Sequence, residues 1–247
     1  MSSRATVVGV AFLLAAGCAS TIPLAPADRA ALRQRPAVPV AWVPSGEPWV
    51  DCPGDEGRKT WEYPASDAAD PRTGGGLRRA GWGAGPIPVI PAGGTWDTIV
   101  EQWTRPLRVP PVDPALATAR SFLSRRRSAS DPVEWSATPV EVPTRSLAGL
   151  RSRFPEGPVL VFRAVDWELV GCYFTFRPWF EVRATLVDTS TGRVLWRAEC
   201  DEAFPGDLPP EARTSEMEAN GRALYRRFLE TRAEQCAGTL ARGLPAP

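Results

Sequence analysis

An alternating run between residues 174 and 186 constrains the fold of this chain more than any other feature. Apart from one proline, every second residue in the run is apolar, and the residues between are mostly polar or aromatic. Such alternation is typical of a strand with one buried face. A turn-forming segment follows at 188–192, and the alternation resumes from Val194 to Cys200. The pattern predicts an antiparallel hairpin that places Leu186 opposite Val194 and Phe180 opposite Cys200.

Four further elements are predicted between residues 106 and 170 from caps and apolar spacing. They are a helix from Pro114, capped by Asp113, to Arg127; a short strand over 135–142; a helix capped by Thr144 and stopped by Pro155; and a central strand over 159–170. In the hairpin, Pro178 predicts a bulge or a sheet edge nearby.

A long carboxy-terminal helix is predicted behind a capping box of Ser215 and Glu218. The pair Glu218–Arg222 is expected on its wet side. Its apolar stripe consists of Met217, Leu224, Tyr225, Phe228, Cys236 and Leu240. Together these elements predict an α/β (α+β) domain over residues 106–247. Its sheet is mixed but largely antiparallel, with a β-hairpin and a long C-terminal helix.

The first half of the chain has a different composition. Proline and glycine are concentrated there, and six of the ten tryptophans lie between residues 41 and 105. Aromatic residues are rare in disordered tails, so we expect 41–105 to form an irregular Pro/Gly/Trp-rich layer on the domain. Residues 18–40 are expected to form a lipidated tether that lifts the domain off the membrane.

The amino terminus has the layout of a secretory signal peptide over residues 1–17. Arg4 precedes a stretch of twelve uncharged residues, 5–16, which is too short to span a bilayer. The segment Leu14-Ala15-Ala16-Gly17-Cys18 resembles the bacterial lipobox, in which small residues precede an acylated cysteine. The alternative is an ordinary secreted protein that is cleaved near Ser20.

The lipobox resemblance implies a lipoprotein that carries acyl chains such as palmitate on Cys18. Several acyl chains anchor a protein stably to a membrane without crossing it. Because Ala19 rather than an aspartate follows the cysteine, we expect outer-membrane sorting, facing the periplasm.

The hairpin sequence at 186–196, Leu-Val-Asp-Thr-Ser-Thr-Gly-Arg-Val-Leu-Trp, resembles that of certain envelope lipoproteins. These share the periplasmic domain of CsgG and the amino-terminal domain of TolB, and the similarity covers about residues 106–242. It implies an α/β fold more than any activity. A second segment, Trp-Thr-Arg-Pro-Leu at 103–107, resembles the Trp-x-x-Pro-Leu of auxiliary lipoproteins in lipid-transport ABC systems.

Four cysteines remain once Cys18 is assigned to the lipid. An even number in an oxidising compartment favours two disulfides. Cys200 ends the inward face of the hairpin and Cys236 lies on the apolar stripe of the last helix, which predicts a Cys200–Cys236 bond. Cys52–Cys172 follows by elimination. Two buried free thiols are the alternative.

Composition excludes several kinds of site. The chain has no histidine, which removes imidazole catalysis and histidine-ligated metals, and its net charge of +1 gives no bulk attraction to nucleic acid. No phosphate loop, dinucleotide fingerprint or hydrolase motif is present. We therefore expect no cofactor, no metal and no catalytic residues. The carboxylates of Asp166 and Glu168, on one strand face, leave a cell-wall glycan enzyme as a minor alternative.

Three aromatic side chains form the expected partner surface, namely Tyr173, Trp179 and Trp167. Exposed aromatics suit protein contacts, although cover by the 41–105 layer is the more favoured of the two interpretations. The sequence thus predicts a non-catalytic envelope lipoprotein that binds the membrane through its lipid and other envelope proteins through this face. A subunit of a secretion or lipid-transport apparatus is the second hypothesis.

Overall fold

The computed structural model describes residues 21–51, 101–129, 131–143, 146–171, 175–200 and 212–244. Several predicted features lie outside these residues: Cys18, Cys52, Cys172, Tyr173 and most of the 41–105 layer. No helix of the described part is long and apolar enough to cross a membrane.

Among the described residues, seven strands form one mixed sheet, which confirms the predicted α/β class. They are β1 (Val40–Trp42), β2 (Trp49–Asp51), β3 (Val140–Glu141), β4 (Pro158–Val170), β5 (Thr175–Asp188), β6 (Val194–Cys200) and β7 (Ala212–Arg213). The main order is β3-β1-β4-β5-β6, while β2 pairs with β4 and β7 with β5. Pairs that involve β1 or β2 are parallel, and those that involve β5 are antiparallel.

In the described part of the chain, the helices beside the sheet include α1 (Pro26–Arg33), α2 (Pro114–Ser128), α3 (Leu147–Arg153) and α4 (Thr214–Gly243). As predicted, Asp113 caps α2, and its side chain accepts hydrogen bonds from the backbone N–H of Ala115 and Leu116. The cap of α3 is Ser146 rather than Thr144, which lies outside the described residues.

Helices α2 and α4 cover one face of the sheet, and a single apolar core fills the space between. The aromatic rings of Phe162, Phe180 and Trp196 on the sheet and of Phe122 and Phe228 on the helices are almost completely buried. Burying each such side chain contributes roughly 1.5–3 kcal/mol. This face therefore provides most of the driving force for folding.

Two polar groups of this core have clear partners. The Tyr225 hydroxyl donates to the carbonyl of Leu107 at 2.7 Å, and burial raises the pKa of this hydroxyl. Arg126 and Asp131 form a buried ion pair at 3.1 Å; burial lowers the pKa of Arg126, and the nearby carboxylate opposes that shift. Removing either charge would leave the other buried without compensation.

The hairpin forms, but its predicted register is wrong by two residues. Leu186 lies opposite Trp196 rather than Val194, and Val182 lies opposite Cys200. The reason is a longer turn, in which the Asp188 carboxylate accepts hydrogen bonds from Ser190, and a β-bulge that follows it. Since the shift is even, the residues from 196 to 200 keep the predicted face.

A β-bulge also interrupts β4 between Ala164 and Asp166. Beyond this bulge, Trp167 and Leu169 lie on the buried face of the sheet, opposite Phe180 and Pro178 on β5. Among the described strands, β6 pairs with β5 only as far as Val182, and β7 pairs with Thr175 and Phe176. Pro178 therefore lies where β5 has β4 as its partner on one side. Proline is tolerated at such an edge because it lacks an N–H.

The amino-terminal segment differs from the expected tether. Ile22 exchanges two backbone hydrogen bonds with Arg197, of 2.8 and 2.9 Å, on the outer edge of β6. Leu32 and Val38 are buried in the core, and β1 lies between β3 and β4. The cause is the apolar character of these side chains, which the sheet buries. From residue 22 to residue 51, the described chain belongs to the domain that we expected to begin at 106.

Helix α4 starts earlier than predicted and is broken near its start. It begins at Thr214, and the Glu216 carboxylate, not that of Glu218, accepts a hydrogen bond from the preceding backbone N–H, at Arg213. Residues 219–222 are non-helical, and three of them have positive φ. The Glu218–Arg222 pair predicted on one helix face therefore does not form; Arg222 donates to the carbonyls of Pro106 and Val109 instead.

Cys200 and Cys236 are bonded, with sulfur atoms 2.01 Å and Cα atoms 5.1 Å apart. This is the pairing that the sequence predicts. Both residues are fully buried, and the bond links the end of β6 to α4. The Trp196 indole N–H donates to the Gly243 carbonyl at 2.9 Å and provides a second link between these elements.

Replacing both cysteines, as Cys200→Ser with Cys236→Ser, should destabilise the domain by about 3–4 kcal/mol, because a bond spanning 36 residues restricts the unfolded chain. Urea denaturation of both proteins, with and without reductant, measures this difference. Adding reductant should lower the free energy of unfolding of the parent to about that of the variant. Non-reducing peptide mapping that finds Cys200 linked to Cys172, or fully alkylated without reductant, would contradict the pairing.

Candidate binding surface

The sheet face turned away from α2 and α4 is the candidate binding surface. Within the described part of the chain, α3 is the helix that packs on it, through a small apolar cluster around Leu150, Val159 and Val187 at one end. We call the remainder of this face the open face. Its residues are Trp49, Arg163, Asp166, Glu168, Arg177, Trp179, Glu181, Arg183, Thr185, Arg197 and Glu199.

Two tryptophans flank a glutamate in one row across three strands of the open face. Trp49 on β2 lies beside Glu168 on β4, which lies opposite Trp179 on β5. The bulge in β4 produces this row, because it places Asp166 and Glu168 on the same face as Arg163. The Trp49 side chain is 79% exposed, far more than any other described tryptophan. A large aromatic side chain left in solvent on a sheet is typical of a contact site.

Charges of both signs surround this row. Arg183 forms an ion pair with Glu199 across β5 and β6. Across β4 and β5, like charges stand opposite each other: Arg163 faces Arg183, and Asp166 faces Glu181. Like charges in directly opposed positions destabilise a sheet. The open face therefore carries like charges in opposed positions of β4 and β5.

The Arg232 side chain of α4 extends from the buried core to the edge of the open face. It is fully buried, and its Nε donates to the Phe180 carbonyl at 3.2 Å, at a point of β5 that pairs with β4 but lies beyond the described pairing with β6. Its guanidinium carbon lies 4.1 Å from the centre of the Trp179 ring. A cation over an indole face is attracted to it, by roughly 2 kcal/mol when desolvated. Arg232 thus fixes the position of Trp179.

The structure places the predicted surface aromatics in different environments. Trp167 is only 4% exposed and packs edge-to-face on Phe180, with centroids 6.1 Å apart, so its assignment to a partner surface is wrong. The bulge in β4 is the reason, since it directs Trp167 into the core. Trp179 is half-buried on the open face. Tyr173 lies outside the described residues, as do Cys18, Cys52 and Cys172.

The two carboxylates considered for catalysis share the open face, as the alternation of β4 predicts. Asp166 is exposed and Glu168 is half-buried. The described chain contains no cluster of three or more potential metal ligands. A shallow hollow of about 340 Å³ lies instead beside α2, lined by Arg120, Ser124 and Arg127 among others. The Arg127 guanidinium donates to the Ala137 carbonyl in its wall.

Sequence reasoning missed Trp49 and Arg232. The exposure of Trp49 follows from the short parallel strand β2, which carries no recognisable alternation over three residues. Arg232 could have been found, since it lies four residues from both Phe228 and Cys236 on the predicted apolar stripe. An arginine at such a position is either buried with polar partners, or the helix face is not fully buried there.

No protein-family model and no curated protein matches this chain. Two solved structures do. A PelC dodecamer from Paraburkholderia phytofirmans is 15% identical over 48% of this chain and 72% of that chain, with a TM-score of 0.26. A second PelC dodecamer from the same organism, with one substitution, is 13% identical over 48% and 73%, with a TM-score of 0.25. At TM-scores this low, the likeness carries no structural or functional argument.

Replacing Arg232 by methionine should destabilise the domain by about 2–4 kcal/mol, because the hydrogen bond to Phe180 and the stacking on Trp179 are both lost. Arg227→Met, at an exposed site of the same helix, is the matched control and should change stability by less than about 0.5 kcal/mol. A double-mutant cycle with Trp179→Leu measures the coupling. Additive effects within about 0.3 kcal/mol would show that Arg232 does not hold Trp179.

Proposed function

We propose that this protein is a non-catalytic, lipid-anchored envelope protein that binds or assembles other envelope proteins in the periplasm, on the outer membrane. The observation that carries the proposal is the lipobox sequence that ends at Cys18, after an uncharged stretch too short to span a bilayer. Acylation of this cysteine would tether the chain to the membrane, and the folded domain would remain outside it.

Two structural observations support an extracytoplasmic location. The Cys200–Cys236 bond is buried between β6 and α4, and structural disulfides persist mainly in oxidising compartments. The first described backbone bridge, at Ile22, comes four residues after Cys18. A cysteine this close in sequence to the first described residue of the sheet suits an anchor.

The open face supports the binding role. On this face Trp49 is exposed to solvent, near the like charges that oppose each other on β4 and β5. The opposite face of the sheet is covered by α2 and α4. Protein interfaces are enriched in tryptophan, and a few such anchors carry most of the binding energy. A partner that supplies an apolar pocket and complementary charges would fit this surface.

Replacing Cys18 by alanine should abolish lipid attachment, because alanine has no thiol to which the lipid can be joined. The variant should be recovered as a soluble protein or an uncleaved precursor, while the parent incorporates radiolabelled palmitate and fractionates with the outer membrane. Membrane association that is unchanged in the variant, with no label in the parent, would refute the anchor. Recovery of the labelled parent in the inner membrane would refute the sorting.

Replacing Trp49 by alanine should weaken partner capture about 30-fold or more, the effect of losing one interface anchor. Capture is measured by cross-linking whole envelopes and purifying the tagged protein. Val109→Ala is the matched control, since Val109 is also an exposed apolar residue, at 66%, outside the open face. Both variants should keep the parent's thermal stability. Equal capture by both would remove Trp49 from the binding surface.

A further inference from the structure

The shallow hollow of about 340 Å³ lies between α2 and the chain that leads into β3. Its lining combines an apolar patch with two guanidinium groups and a hydroxyl, from Leu123, Ala137, Pro139, Arg120, Arg127 and Ser124. Pockets that hold small molecules have volumes from about 300 Å³ upwards. None of these residues belongs to the open face, so a ligand of the hollow is separate from the partner proposed above.

The chain opposite α2 is held in place by contacts with the rest of the fold. Trp135 forms a parallel backbone bridge with Val38, just before β1. Its ring packs edge-to-face on Phe122 of α2, with centroids 5.8 Å apart. Two residues further on, the Ala137 carbonyl accepts a hydrogen bond from the Arg127 guanidinium. The fold itself therefore forms the hollow before any ligand enters.

The hollow is positively charged. Both charged side chains that line it are arginines, and no carboxylate is among its described lining residues. Helix α2 contains no acidic residue. Asp131, the carboxylate that follows α2 in the chain, is buried in the ion pair with Arg126. The positive charges of Arg120 and Arg127 are therefore not offset by a carboxylate in the lining.

Both guanidinium groups have N–H groups to offer a ligand. Arg120 makes no hydrogen bond or ion pair with any residue that the structure describes. Arg127 donates to Ala137, but a guanidinium has five N–H donors. The two arginines are seven residues apart, so they lie on the same side of α2, about 10 Å apart along its axis. Ser124 lies between them, and a group placed over it is within reach of both guanidinium groups.

We propose that the hollow binds a small phosphate monoester, with the guanidinium groups of Arg120 and Arg127 and the Ser124 hydroxyl on the phosphate oxygens. A phosphate monoester carries close to two negative charges at pH 7 and three acceptor oxygens, whereas a carboxylate carries one charge. It therefore matches the two arginines of the lining. Guanidinium groups bind phosphate through paired, charge-assisted hydrogen bonds. The apolar patch contacts the organic part of the ester.

Two sources carry this chemistry, a soluble phosphate ester and the headgroup of phosphatidic acid. Glycerol 3-phosphate is the soluble probe, with glycerol and acetate as controls for its organic part and for a single charge. The lipid probe is a phosphatidylcholine vesicle that also contains phosphatidic acid, compared with phosphatidylcholine alone. The vesicle experiment uses the Cys18→Ala variant, so that an acyl anchor contributes nothing to flotation.

Titration of the isotope-labelled protein with glycerol 3-phosphate, followed through its amide chemical shifts, tests the site. The amides of residues 120–128 and of Ala137 should shift with one common Kd, on the order of 1 mM or below. Glycerol should shift none of them, and acetate should bind at least about five-fold more weakly. Binding should weaken several-fold between about 50 mM and 500 mM salt, because the hollow is open to solvent.

Three variants link this binding to the guanidinium fork. Arg120→Gln should weaken binding about ten-fold, since one of the two guanidinium groups is lost. Arg120→Lys keeps the charge but loses the fork, and should weaken binding about three-fold. Arg226→Gln is the matched control, because it removes the same charge from an exposed position of α4 and should bind like the parent. All three should keep the parent's thermal stability.

The outcomes decide both the site and the source. Shifts at residues 120–128 that Arg120→Gln weakens support a site for a soluble ester. Flotation with phosphatidic acid that Arg120→Gln abolishes, without binding of glycerol 3-phosphate, supports a headgroup site. Absence of both would overturn the proposal, as would equal affinity for acetate. Equal weakening by Arg120→Gln and Arg226→Gln would show that net charge alone attracts the phosphate, and would also overturn it.

Discussion

Burial of one face of the β4–β5–β6 sheet beneath α2 and α4 is the interaction on which the rest of the structure depends. The strict alternation of β5 places Phe176, Phe180 and Val182 on that face, and the stripe of α4 meets them with Phe228 and Cys236. Both helices pack on this face of the sheet. Among the described residues, its reverse side carries α3 at one end and charged and aromatic side chains over the rest.

The amino-terminal segment is part of the same buried core. Leu32 and Val38 supply part of the core, and β1 adds a parallel strand beside β4, so the chain after residue 21 contributes to folding. The chain crosses from the outer edge of β6, at Ile22, to the far side of β4, at Val40. A segment used in this way cannot serve as a long spacer, and the domain is thereby brought close to the proposed anchor.

The sequence predicted those elements whose periodicity is long and regular. The helix that Asp113 caps, the β5 alternation and the α4 stripe all appear, because each buries one continuous face. Prediction failed where a single residue changes the register. The bulge before Asp166 turned Trp167 inward, and the bulge after the β5–β6 turn moved the hairpin pairing by two residues. Bulges leave little sequence signal when no glycine marks them.

Two other differences have a distinct origin. The three-residue strands β1 and β2 are too short to show a period, and they form because the long strand β4 offers them a parallel edge. Their neighbouring prolines and glycines suggested an irregular layer instead. For the candidate surface, Trp179 was predicted but Trp49 was not, since the exposure of a side chain on a short strand depends on what the rest of the chain covers.

The central claim is that the folded sheet begins immediately after the proposed anchor, at Ile22. Amide hydrogen exchange, resolved by residue, tests it directly. The N–H groups of Ile22 and Arg197, which bond each other's carbonyls, should exchange at least about 100-fold more slowly than in an unfolded chain, and at similar rates. Val43, bonded to Phe162 within the sheet, is the internal reference. Exchange of Ile22 at the unfolded rate, while Val43 stays protected, would contradict the account.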